Sequence, residues 1–327
     1  MTLNKNSAHV LLCLLGGRKT VAQVSQIMQN VDIRSLQRAL VRLADLGLVD
    51  KKGVNNNPVY DINYNKLLNI DIPSKLLEQY LRPDTKTNQA FIDWLNKLPK
   101  QELDSVLSNS IVVAKAPEMS AKELEYLTIE LSWKSSALEG NTYTLLDTQL
   151  LIVDGIKARH KTDFETQMIL NHKNALSFII ENKEQFMDNI QFATLEELHR
   201  IISFNLGINS GVRKRIVKIT GSNYQPLNNP HQLKEVAANA LNVINRSNNP
   251  FSKALVALAL IPYLQIFEDG NKRTGRMLAN AILISWVNRG FSLRKVDAKE
   301  LALAYLSFYE FNSIKALSKI LEKELKV

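Results

Sequence analysis

The sequence predicts a mostly α-helical, two-domain protein: a small N-terminal unit of three helices and a hairpin, then connecting helices, then a long helical body. Three observations carry this. The chain has 327 residues, about twice the ~150 of a typical domain. Apolar residues make up 45% and charged residues 22%, the balance of a globular protein with large packed cores. Apolar positions recur at helical spacing through most of the chain, and strand-like alternation appears only in short pieces near the N-terminus and around residue 218.

Residues 1–66 form the first unit. Ser7–Leu15 reads as a short helix, and Thr20–Met28 as a second with Val21, Val24 and Met28 on one face. Asp32 is positioned as the N-cap of a third, whose Ile33, Leu36, Leu40, Leu43 and Leu46 are spaced to face a core and which Gly47 ends. LVDKKGVNNNPVYDINY then puts two strand-like runs around a Gly/Asn/Pro-rich turn, a β-hairpin. Three helices and a hairpin in this order resemble a winged helix-turn-helix domain. Arg34, Arg38 and Arg42 make a basic ridge along the third helix, and Lys51 and Lys52 sit on the hairpin. Those are the candidate DNA-binding residues, since groove docking uses arginines for base edges and phosphates. A solvated face of a protein-interaction module is the other reading, because Asp32, Asp45 and Asp50 dilute the patch.

Residues 67–120, with LLEQYL and FIDWLNKL between prolines, read as connecting helices too apolar for a flexible linker. Residues 121–327 read as helical except RKRIVKITGSNYQPL, where alternation before a Gly/Asn/Pro turn suggests a small extended flap over 215–228. The single cysteine, Cys13, rules out an intrachain disulfide and fits a reducing compartment. Val10–Leu15 is too short for a membrane anchor, and Ala254–Leu264 is interrupted by Pro262. A soluble, cytoplasmic protein without membrane contact is expected. The net charge of +9 permits nucleic acid, nucleotide or acidic partners without choosing among them.

The stretch richest in chemistry is residues 265–276, QIFEDGNKRTGR, between one apolar helix and the next. A turn holding Gly270 and Asn271 can aim backbone N–H groups inward, and a helix N-terminus adds its dipole. Lys272, Arg273 and Arg276 add cations, and Asp269 could share a divalent ion with phosphate oxygens. The residues read as a nucleotide-phosphate cradle; a capped, charged turn between two helices is the alternative.

This loop resembles the signature of Fic-domain proteins, His-x-Phe-x-(Asp/Glu)-Gly-Asn-(Gly/Lys)-Arg-x-x-Arg. Phe267, Asp269, Gly270, Asn271, Lys272, Arg273 and Arg276 fit it. Upstream, Ser135, Glu139 and Gly140, within 135–140, resemble the family's inhibitory helix, (Ser/Thr)-x-x-x-Glu-(Gly/Asn). The resemblance covers roughly 120–290. It implies a Fic-type helical fold, ATP with Mg²⁺ (Asp269 for the metal; Gly270, Asn271, Lys272, Arg273 and Arg276 for the nucleotide), and transfer of AMP to a protein hydroxyl. It further implies that Glu139 pairs with Arg276 and blocks seating of the γ-phosphate, and that Ile219, Gly221 and Tyr224 of the flap dock the target by strand addition. Leu198-His199 matches a Leu-His of the family's core, so His199 is expected to be structural.

One departure matters: Gln265 stands where the family has its general-base His. An amide cannot take the proton of the attacking hydroxyl, which forfeits about 10²–10⁴-fold in rate. Ile266 replaces the next residue, usually Pro. Of the five histidines, His231 alone is considered as a stand-in. Three readings follow: a weak AMP-transferase, or an AMP-removing enzyme in which Glu139 positions water; a nucleotide-responsive binding protein without catalysis; and a DNA-binding regulator in which the second domain is a sensor or homodimerisation body.

Overall fold

The structure, a computed structural model, describes all residues except 1–2, 16, 30, 54–57, 80–85, 109–110, 220, 223 and 327. The expected hairpin turn at 54–57 and Thr220 of the flap therefore lie outside the described residues. The chain divides into two compact units: Met1–Leu98 with Lys218–Gln225 and Ala302–Ala316, and Pro99–Val217 with Pro226–Leu301 and Leu317–Val327.

The first unit begins with helices Lys5–Leu14, Val21–Ile27 and Ile33–Asp45, interleaved with strands Lys19–Thr20, Val49–Lys52 and Val59–Ile62. The strands form an antiparallel sheet with Val59–Ile62 in the middle, in the registers Thr20↔Val59 and Lys51↔Tyr60. Thr20 starts the second helix through a capping box with Gln23, and Asp32 starts the third by accepting from Ser35 N at 3.0 Å. Val10, Leu11, Leu14, Val24, Leu36, Leu40, Leu43, Tyr60 and Ile62 close on one another as a core. Ile33 was expected on that face but is exposed at the first helical position, where the helix has only begun to turn toward the core.

Short helices Tyr64–Leu67, Ser74–Gln79 and Gln89–Lys97 follow. The unit then recruits a distant piece of chain, because Phe311 of helix Ala298–Phe311 joins the same core. Ser313 Oγ donates to Ile70 O at 2.6 Å, and Asn88 Nδ2 donates to Asn312 Oδ1 at 2.8 Å. The expected β flap is corrected here: no strand forms among the described residues of 215–228, only one parallel bridge, Lys86↔Gln225. Side chains hold the segment instead. Ser222 Oγ donates to Glu310 Oε1 at 2.9 Å, and the Tyr224 hydroxyl meets Thr87 Oγ1 at 2.8 Å while its ring stacks on Tyr309. The Tyr224 and Ile219 side chains are both buried, and Gly221, at φ +77°, sits in the turn between them.

The second unit is helical. Ala121–Ala137, Asp163–Glu181, Phe192–Ser203 and Pro230–Arg246 surround a central antiparallel pair, Pro250–Leu264 and Asn271–Val287, and Leu145–Asp154 packs on the first two of them. Nearly every residue of that pair is buried, including the polar Asn271, Arg273 and Arg276 at the start of the second helix. A Cβ on Gly275 would lie 2.9 Å from Pro262 Cδ, so glycine is what allows the two helices to touch there. No helix among the described residues is long and apolar enough to cross a membrane.

Candidate functional site

The turn between the two central helices is built from its own side chains. Gln265 ends helix Pro250–Leu264 in the left-handed conformation, φ +49°. Its Nε2 donates to Pro262 O at 2.7 Å, and its Oε1 accepts from Asn271 Nδ2 at 3.2 Å. Asn271 Oδ1 accepts from Phe267 N at 3.0 Å and its Nδ2 also reaches Phe267 O at 2.9 Å. The Asn271 side chain is thus spent on shaping the loop, leaving only its backbone N–H for a ligand. Gly270, at φ +77°, makes the last bend, close against His199. His199 stacks flat on Phe267, with ring centroids 3.7 Å apart, and donates through Nε2 to Asp269 O at 3.0 Å. Burial pushes its pKa down to about 4, so the ring is a neutral floor for the loop, in the structural role expected of it.

Above that floor the site is strongly cationic. Helix Asn271–Val287 starts at Gly270 with no side-chain cap, so its first N–H groups face outward with the helix dipole behind them. Arg273 is 2% exposed; Nη2 reaches the exposed Asp269 carboxylate at 3.2 Å, while Nε and Nη1 have no partner. Burial lowers its pKa, and unsatisfied buried guanidinium donors are costly. Arg276, fully buried, is held on one side: Nε donates to Ser135 Oγ at 2.9 Å, and Nη2 to Ser135 O at 3.0 Å and Glu139 Oε1 at 2.7 Å. Lys272 is partly exposed on the first turn.

Glu139 reaches this position because helix Ala121–Ala137 stops just before it. Gly140, at φ +91°, turns the chain, and Asn141 N returns to Ser136 O at 3.1 Å in a Schellman-type end. The structure therefore brings together Ser135, Glu139, Gln265, Gly270, Asn271, Lys272, Arg273 and Arg276 in one unit. His231 lies exposed in the first turn of helix Pro230–Arg246, and the partners of the Gln265 amide are Pro262 and Asn271.

Two residues escaped the sequence. His172, on helix Asp163–Glu181, meets Ser135 Oγ through Nε2 at 2.8 Å. Its burial was legible in the spacing of Met168, His172, Ala175 and Ile179, but its partner was not. Arg213 is buried and gathers three carbonyls, donating to Gln265 O at 2.6 Å, to Arg215 O at 2.7 Å and to Leu227 O. In the sequence it was one cation of an Arg-Lys-Arg run, with no local sign that it differs from its neighbours.

No group of three His, Cys, Asp or Glu side chains among the described residues could hold a metal. Asp269 presents one exposed carboxylate beside Arg273, the donor type of a Mg²⁺ that would be shared with phosphates. In the first unit, Arg34, Arg38, Arg42, Lys51 and Lys52 are all exposed; Lys52 lies 3.5 Å from Asp61.

The Fic/DOC family model matches residues 189–283, a stretch that includes His199, Arg213 and the whole 265–276 loop. Protein adenylyltransferase Fic of Nematostella vectensis is 27% identical over 229 residues, 68% of this chain and 52% of its own. Protein adenylyltransferase fic-1 of Caenorhabditis elegans is 26% identical over 155 residues, 45% of this chain and 30% of its own. The chain thus spans about half or less of the length of these curated relatives. The solved structure of Fic-1 from C. elegans shares the fold, with a TM-score of 0.53 at 16% identity, covering 94% of this chain and 78% of that one. Residues 189–283 of this chain are a Fic/DOC family domain.

Proposed function

We propose that the chain binds ATP with Mg²⁺ in a protein AMP-transferase scaffold that Glu139 holds shut and that Gln265 leaves weak or inert. The observation that carries this is the contrast between the two buried arginines. Arg273 is buried with two unpartnered donors, the state of a guanidinium prepared for an anion. Arg276, by contrast, has Nε filled by Ser135 and Nη2 filled by Ser135 and Glu139. The first-turn N–H groups and Arg273 would hold the phosphates, and Asp269 a Mg²⁺ that neutralises them. Arg276 would bind the terminal phosphate only after Glu139 leaves it. The target would be a hydroxyl of a protein, as the names of the adenylyltransferase relatives support. What is missing is the proton acceptor, because the Gln265 amide is engaged at both ends and has no basic site.

Glu139→Gly should therefore bind a non-hydrolysable ATP analogue with Mg²⁺ at least about tenfold more tightly than the native chain, since a charge-assisted hydrogen bond is worth about 1.5–3 kcal/mol. Titration calorimetry measures this directly; equal affinities would remove Glu139 from control of the site.

A second reading rests on the first unit. Its three helices and antiparallel sheet, with Arg34, Arg38 and Arg42 exposed along the third helix, support a winged-helix DNA-binding role. On that reading, log K for duplex DNA falls steeply with log salt concentration, and Arg38→Ala lowers both affinity and slope. A flat salt dependence would leave the unit as a protein-interaction module.

A further inference from the structure

We infer that His172 is a positioning residue for the Glu139–Arg276 lock: by accepting the Ser135 hydroxyl's hydrogen bond, it turns the Ser135 lone pairs toward Arg276. The assignment follows from donors and acceptors. Met168 O lies 2.8 Å from His172 Nδ1 and can only accept, so Nδ1 carries the proton. Nε2 is then a lone pair, and Ser135 Oγ, 2.8 Å away, must donate to it. With its proton committed, Ser135 Oγ is left to accept, which it does from Arg276 Nε at 2.9 Å. The ring is fully buried among the second-unit helices, and Ser136 Oγ, 3.3 Å from Nδ1, shares that proton. Burial, with Arg273 and Arg276 nearby, lowers its pKa to about 3, which keeps it in the neutral form this arrangement needs.

The consequence reaches Glu139 through the helix end. Ser135 gives Arg276 both its hydroxyl and its carbonyl, and Glu139 is carried on the same turn. A Ser135 hydroxyl free to rotate would offer its proton elsewhere and hold the guanidinium less firmly beside Glu139.

This inference rests on the reading that Arg276 exchanges Glu139 for a phosphate, and the experiment separates the two. Affinity for the non-hydrolysable ATP analogue with Mg²⁺ is measured for native, His172→Leu, His172→Gln and Ser135→Ala chains, each with Glu139 and with Glu139→Gly. His172→Leu and Ser135→Ala should tighten binding about 2- to 10-fold when Glu139 is present, the range of one net hydrogen bond. Neither should tighten it in the Glu139→Gly background, and His172→Gln, whose amide can accept from Ser135 and donate to Met168 O, should stay near native. Equal shifts in both backgrounds, or none with Glu139 present, would overturn the role of His172. If Glu139→Gly itself changes nothing, the failure lies with the underlying reading. Ser135→Ala breaks the same bond from the other side and decides the matter should His172→Leu not fold.

Discussion

A chain carrying Glu139→Gly together with Gln265→His should label itself from α-labelled ATP about 10²–10⁴-fold faster than Glu139→Gly alone, the range a positioned general base contributes. The backbone is what makes this a restoration and not a redesign. Residue 265 sits in the left-handed region, where His is among the better-tolerated side chains. Its carbonyl is fixed by Arg213, independently of the side chain. The amide bonds lost are those to Pro262 O and Asn271 Nδ2, and an imidazole offers one donor and one acceptor in return. The loop keeps its other staples, the Asn271 bonds to Phe267 and the His199–Phe267 stack. Equal labelling of the single and double variants would mean that Gln265 already supports transfer and that its substitution for His is not a handicap.

The second large effect concerns Arg273. Arg273→Met should weaken binding of the ATP analogue by about 30-fold or more, because losing a buried charged partner costs about 2–5 kcal/mol. The same substitution should leave the thermal midpoint unchanged or raise it. Arg273 is buried with two donors unsatisfied, and replacing such a charge with an apolar side chain of similar length is often stabilising. The Asp269 carboxylate it abandons is largely in water and loses little. Binding and melting measured on one preparation decide the point. Unchanged affinity would take Arg273 out of the phosphate site, and a collapsed midpoint would make it a structural residue.

What the sequence disclosed was local. Asp32 as a cap, the apolar faces of the second and third helices apart from Ile33, and the helices on either side of 265–276 follow from spacing within a few residues. The loop motif was legible for the same reason, since its residues touch one another. The two-residue strand Lys19–Thr20 was too short to show alternation. Residues 215–228 alternate like a strand, yet their shape is set by Arg213, Thr87, Glu310 and Tyr309, none of which the alternation reveals. Phe311 looks like any core aromatic, and nothing near it announces that it packs with the N-terminal helices. His172 shows the same boundary, its inward face readable and its serine partner not.

The two halves of the candidate site differ in how far apart along the chain their parts lie. The cationic loop joins two helices whose mutual contacts are between neighbours in sequence, with Gly275 set against Pro262 to let them close tightly, while His199 and Arg213 reach it from 70 and 52 residues away. The Glu139 bond to Arg276 spans 137 residues. Local contacts form fast and distant ones wait on chain closure. During refolding the helical hairpin's own contacts therefore form first, and the Glu139 bond that ties Arg276 to a far part of the chain closes after them.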